Sequence, residues 1–243
     1  MPRGSKSSTR MRDLPSEKPD LEPSQFASPN HSSSTHSGGY VRATFDCSRG
    51  ATRLARAAFG APLKVAKPFP QGDGSLSVCL MDCSPGLLAG DHYLLDWQLE
   101  PDAQVVISNQ SFTKVHPSGD QPCSQTQTVS VARNARLDYV PQPTILYRDA
   151  DFRNCCNIEI EADGTLLWSE IVCAGRIAHG EAWQFRSYAN RLAVRYDNEL
   201  VFCNQTLWQP LKKNLRTIGA WESSTHYGQV VFICEPLASS HLQ

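Results

Sequence analysis

The sequence is poor in the features that mark enzymes, membrane proteins and nucleic-acid binders. Lysine and arginine total 23 against 24 for aspartate and glutamate, so no excess of one sign is available to hold a polyanion or an anionic bilayer. No apolar run approaches the ~20 residues needed to cross a bilayer, and the N-terminus lacks the compact apolar core of a signal peptide. These absences predict a soluble, unsecreted chain with neither nucleic acid nor membrane as partner. Nine cysteines are present but no CxxC pair. The nearest approaches are Cys79 with Cys83 and the adjacent Cys155 and Cys156, and no second pair at finger-like spacing follows either. Buried reduced thiols are therefore expected rather than zinc or a disulfide framework.

Catalytic signatures are missing as well. Ser84-Pro85-Gly86 is no nucleophile elbow, because Pro85 stands where a free backbone N–H would help form an oxyanion hole. Gly86 to Asp91 has no Lys-Ser or Lys-Thr after it and reads as a turn rather than a phosphate loop. The seven histidines (His31, His36, His92, His116, His179, His226 and His241) form neither His-x-His nor His-Glu-x-x-His, so a fixed metal site is not indicated and a metal-dependent hydrolase would need ligands gathered from scattered positions. His92, beside Asp91, reads as a solvated histidine on a polar strand face.

What is present is a change of texture along the chain. Residues 1–40 are rich in Ser, Pro and charge, and such a segment buries too little apolar surface to offset its chain entropy, which predicts a disordered tail. Asp13, Glu17, Asp20 and Glu22 argue against a transit peptide there. Met11 is an alternative start. From Leu76 onward, short segments alternate with period two. Tyr93, Leu95, Trp97 and Leu99 take one face while Asp96, Gln98 and Glu100 take the other, as in a half-buried strand. Similar strands are predicted at residues 105–107, 129–131, 137–139, 145–147, 158–160, 166–173, 183–185, 192–196 and 230–234. Turn chemistry lies between them, at Gly72-Asp73-Gly74, Pro101-Asp102, Arg133-Asn134, Asp163-Gly164 and Asp197-Asn198 among others. A mostly β single domain follows, stacked-sheet, β-helix-like or sandwich-like, with one or two short C-terminal helices. The best helix candidate repeats Leu207, Leu211, Leu215 and Ile218 and has Gly219 as its cap. Pro236 to Ser240 reads as frayed sequence.

The most informative acid is Glu170. It shares a predicted strand face with Leu166, Trp168 and Val172, where an ionised carboxylate is costly unless paired or able to reach water or a cation. Arg176 is the nearest candidate partner, and Glu181, just past Gly180, lies in a turn that could join them. A buried Glu–Arg pair closing a turn and a functional carboxylate both fit these residues.

Four motifs occur in order: Ser84-Pro85-Gly86-Leu87-Leu88-Ala89-Gly90-Asp91, Ser111-Phe112-Thr113-Lys114-Val115, Leu137-Asp138-Tyr139-Val140-Pro141-Gln142-Pro143-Thr144-Ile145, and Glu170 to Glu181 with Gly175-Arg176 and Gly180-Glu181. Together they resemble the UreD (UreH) family of urease accessory proteins over residues 40–205, with a weaker continuation to about 235. The resemblance implies a β-rich, helix-like stack of sheets over residues 41–243 and a cytoplasmic, non-catalytic metallochaperone without disulfides. It implies three partners: the urease apoprotein, a helical accessory protein of the UreF type, and a nickel-carrying GTPase of the UreG type. The resemblance further implies no permanently bound cofactor, with nickel as an ion in transit. A passage of this kind needs weak, exchangeable oxygen ligands, and Asp91, Glu170 and Glu181 are the candidates. Arg176 would hold the acids or the turn, while Gly86, Gly90, Gly175 and Gly180 would serve backbone geometry. The family pattern leads one to expect residues beyond Gln243, so the domain is expected to be short at its C-terminal end. The alternative from another class is a carbohydrate- or ligand-binding β-sandwich module, which would use exposed aromatic residues as a platform.

Overall fold

The structure, a computed structural model, describes residues 38–235. The expected tail, up to residue 37, and the segment from Pro236 onward lie outside the described residues. Sixteen strands follow one another: β1 (Tyr40–Ser48), β2 (Ala51–Gly60), β3 (Leu63–Val65), β4 (Phe69–Pro70), β5 (Leu76–Asp82), β6 (His92–Leu99), β7 (Gln104–Asn109), β8 (Thr113–Val115), β9 (Cys123–Val131), β10 (Arg136–Tyr139), β11 (Thr144–Leu146), β12 (Asp151–Ile160), β13 (Thr165–Cys173), β14 (Ser187–Tyr196), β15 (Glu199–Trp208) and β16 (His226–Ile233).

They form two sheets. The first has the order β15-β14-β12-β9-β6-β1-β2, and the second runs β3-β5-β7-β10-β13-β11-β8, with β16 added to β13 and β4 to β5. Between β5 and β14 the chain winds as a stacked coil, laying strands alternately in the two sheets. Strands β6, β9, β12 and β14 are therefore mutually parallel, as are β5, β7, β10 and β13. Antiparallel ribbons finish the stack: β1 with β2 at one end, β14 with β15 and β13 with β16 at the other. The coil explains why the alternation is so regular from β5 to β13, since each of those strands has one face toward the space between the sheets and one turned away from it.

Stacking in register turns inward residues into rungs. Trp97, Val129, Ile158 and Val194 form one across the first sheet, and Val78, Ile107, Tyr139, Trp168 and Val231 form one across the second. All nine are buried. Tight turns close the coils at the expected places: Asp102, Asn134, Asp163, Asp197 and Asn198 all have positive φ, which Asp and Asn tolerate better than other non-glycine residues. At Asp197-Asn198 both φ values are positive, matching the hairpin turn that suits the twist of β14 and β15.

Two expectations fail. No α-helix forms among the described residues. Leu207 belongs to β15, and residues 209–224 run in turns. Leu207 and Leu215 are partly buried, but Leu211 is 65% exposed and Ile218 96%, so the repeat has no continuous apolar face to bury, and a short helix depends on that burial. The segment is instead pinned by Trp221, which packs edge-on against Trp183 and Trp208 at 4.3 and 4.7 Å. Residues 183–185 are not a strand either, because Trp183 has a φ of 65° and turns the chain.

Candidate functional site

One level of the stack breaks the apolar rule. The inward positions of β9 read Val131, Val129, then Gln127 and Gln125; those of β12 read Ile160, Ile158, Cys156, then Asn154; those of β14 read Val194, Leu192, then Asn190. Register places Tyr93, Gln125, Asn154 and Asn190 side by side across the first sheet. In the second sheet the corresponding residue of β13 is Glu170, paired with Gln229 of β16. A layer of amides and one carboxylate thus interrupts the core. The amides are linked: Gln125 Nε2 donates to Asn154 Oδ1 at 3.3 Å, and Asn154 Nδ2 donates to Asn190 Oδ1 at 3.0 Å.

Glu170 ends this chain. Asn190 Nδ2 donates to Glu170 Oε2 at 3.0 Å, and Asn154 Nδ2 makes a long contact of 3.5 Å with Oε1. Burial pushes the carboxyl pKa above the usual glutamate range, and the Trp168 indole N–H and the Asn190 amide pull against that rise. The Trp168 N–H is close enough to steady the charge but lies outside hydrogen-bonding geometry. Among the described residues, no ion pair involves Glu170. Its residue exposure is intermediate despite the surrounding protein because it fronts a cavity of about 60 Å³.

The cavity reaches outward through a defect in the second sheet. Strands β7 and β8 are two pieces of one run interrupted at residues 110–112, and β10 and β11 are likewise interrupted at residues 140–143. Asn109, Thr113 and Thr144, which flank these breaks, and Gln142, which lies in the second, line the same cavity as Gln125, Gln127, Asn154 and Glu170. Backbone groups freed by the breaks find other partners: Gln142 N–H donates to Asn109 Oδ1 at 2.5 Å and Thr113 N–H to Pro143 O at 3.1 Å. Among the described residues, no lysine, arginine or histidine lines the space. It can take water or a small cation, and it is far smaller than the roughly 300–1,000 Å³ pockets that hold organic ligands.

The other sequence-predicted residues lie elsewhere. Asp91 does not line this cavity; its Oδ2 accepts from Leu88 N–H at 2.7 Å and so closes the turn into β6. Arg176 pairs with Glu181 rather than Glu170, through two hydrogen bonds of 2.8 and 2.5 Å. The Arg176 guanidinium also sits 4.5 Å over the Tyr147 ring. Glu181 is 8% exposed, and the Arg176 hydrogen bonds hold its carboxyl below the usual range despite some opposing burial. Gly86, Gly90, Gly175 and Gly180 all have positive φ. At Gly175 a Cβ would stand 2.2 Å from the Glu181 carbonyl oxygen, which leaves no room for any other residue. His92 is buried rather than solvated, at 9% exposure, with Nδ1 2.7 Å from Ser124 Oγ. The nine cysteines are all free. Among the described residues no cluster of three or more His, Cys, Asp or Glu could hold a metal ion, and no helix is long and apolar enough to cross a membrane.

Among the described residues, the tryptophans form no exposed platform for sugars. Trp97 and Trp168 are fully buried, Trp183 nearly so, and Trp208 and Trp221 pack on each other and on Tyr227. The residues that sequence reasoning missed are the amides Gln125, Gln127, Asn154 and Asn190. Their signal was available: each takes an inward position of a strand whose other inward positions are mostly apolar.

Comparison with known proteins agrees with the motifs. The profile of the UreD urease accessory protein family matches residues 37–243. The urease accessory protein UreD of Acetivibrio thermocellus is 34% identical over 200 residues, covering 82% of this chain and 76% of that protein. UreH of Helicobacter pylori is 30% identical, covering 75% of this chain and 69% of its own length, and UreD of Lysinibacillus sphaericus is 31% identical, covering 83% and 76%. With the fold, the motif order and these matches in agreement, the chain belongs to the UreD family of urease accessory proteins.

Proposed function

We propose that this chain is a cytoplasmic scaffold in urease maturation, contributing a guarded route by which nickel reaches the urease apoprotein. The observation that carries this reading is Glu170: a carboxylate that forms no ion pair among the described residues, held by amides at the inner end of a cavity that opens through the strand breaks of the second sheet. Oxygen ligands of this kind release a borderline divalent ion readily, whereas thiolates or a full cage would retain it. Asp91 and Glu181 are assigned to holding turns and are given no part in the route. The surfaces of the coil serve as the platform for apo-urease, for a helical accessory protein of the UreF type and for a GTPase of the UreG type that brings the metal.

The test is co-expression with urease and the other accessory proteins under limiting nickel. Glu170→Ala is expected to lower nickel per urease and activity together, while pull-down of the partners stays intact. Wild-type nickel content in that variant would remove Glu170 from the route, and failure of the chain to bring down any urease or accessory subunit would end the scaffold reading.

A further inference from the structure

The last strands of the stack leave two sheet edges open at the same end. Strand β15 pairs only with β14, and β16 only with β13. Among the described residues neither makes any further backbone hydrogen bond. The two strands face one another: Asn204 Nδ2 donates to Gln229 Oε1, and the Trp208 and Tyr227 rings are 5.0 Å apart. Between them lies a cleft of about 440 Å³ lined by Phe202, Val231, Phe232, Ile233 and their neighbours. Leu200, Val201, Val230 and Phe232 are each more than half exposed. An open edge is a template for another strand, and folded sheets guard such edges with short strands, charge or proline. The opposite end of the stack is guarded in this way: β3 and β4 have three and two residues, and β2 carries Arg53 and Arg56, both exposed. Strands β15 and β16 have ten and eight residues and hold no lysine, arginine, aspartate or proline. Glu199 and His226, the first residue of each, are their only acid and base. A coil end left apolar needs something to cap it.

We infer that this end is a self-association surface, on which a second copy of the chain docks head to head. Antiparallel pairing of β15 with β15 and of β16 with β16 continues both sheets across the interface and closes the two clefts on each other. One twofold axis serves both strands because both edges lie at one end, and an interface of this kind needs no surface other than itself. Charge favours a copy over an unlike partner. In antiparallel pairing Glu199 falls opposite the far end of the copy's strand, so no like charges meet, whereas a charged partner would bury its charge against apolar edges without a counterion. Size agrees too: the two strands with their flanking turns approach the roughly 20–30 residues a side of a stable interface, and their apolar character is that of a permanent homodimer. The inference goes beyond the reading of the cavity as a metal route and does not depend on it.

The test is sedimentation equilibrium of the full chain over about a hundredfold range of concentration, since self-association is set by mass action. A two-chain species is expected. Val201→Lys and Val230→Lys each replace a residue that is more than half exposed in the single chain, so the fold tolerates them, and circular dichroism confirms it. Each puts a cation on one edge, and the twofold brings in a second. Either variant is expected to weaken association by at least about tenfold. Phe59→Lys, on β2 at the guarded end, should leave association as in the wild type. A chain that stays single at every concentration would overturn the inference, as would association that neither edge variant weakens. A single chain whose Tm falls in both edge variants also overturns it, and gives the cleft to the chain's own residues from 236 onward.

Discussion

Replacing Gly175 by alanine tests how the turn beside the Arg176–Glu181 pair is held. The residue has φ of 136°, a conformation that costs a side-chain-bearing residue about 1–3 kcal/mol. The added Cβ would also stand 2.2 Å from Glu181 O and 3.4 Å from Leu146 O. These are backbone atoms that cannot rotate away, so the segment must shift, at about 1–3 kcal/mol for overpacking. The sum is roughly 4 kcal/mol, or a fall in Tm of roughly 8–16 °C for a domain of this size. Gly180→Ala is the matched control. Gly180 has φ of 71°, but a methyl group added there would meet nothing within 4 Å, so only the left-handed conformation is penalised, by about 1–2 kcal/mol. Urea denaturation followed by circular dichroism gives both values on one scale. Equal losses for the two variants would show that the close approach to Glu181 is not what fixes the turn.

The two buried-side carboxylates should oppose each other in the pH dependence of stability. Burial raises the Glu170 pKa, so the folded state holds that proton more tightly than the unfolded state; stability is fullest below about pH 4.3 and drains as pH rises through the raised value. Glu170→Gln should therefore match the wild type at pH 4 and exceed it at pH 7 in urea midpoint, and parallel profiles would refute the assignment. Glu181 is depressed by Arg176; its contribution is present above the ordinary carboxyl range and is lost as pH falls through the lowered value. Arg176→Met should flatten that acid limb, and an unchanged limb would show that the pair adds nothing to stability.

Much of the fold could be read from period-two alternation and turn residues because a stacked coil gives its successive strands, β5 to β13, the same environment, one face in and one face out. Tyr93 to Leu99 illustrates this. The same uniformity misled at the C-terminal end, where Leu207, Leu211, Leu215 and Ile218 have helical spacing but Leu211 and Ile218 stay exposed, and an aromatic contact from Trp221 pins the segment instead. At the site, the carboxylate of Glu170 was legible because a charge among apolar neighbours conflicts with its surroundings. Its partner was not. Arg176 is nearer in sequence, but the facing of the two sheets brings Asn190 of β14 across the core to Glu170 of β13 and leaves Arg176 to Glu181. Long-range pairing of this kind is fixed by how many residues each coil contains, which no local pattern states.

The breaks at residues 110–112 and 140–143 carry a further consequence. Successive coils share a hydrogen-bonded register, with Thr113 beside Thr144 and Thr144 beside Val172, so a kink in one coil must be matched in its neighbour or the ladder beyond it slips. Strand β13, the next along, runs unbroken past both. The opening is thus a window whose height is counted in whole coils and whose sill is an unbroken strand. Widening it would require another coil to be kinked in step, and straightening either kink would shut it.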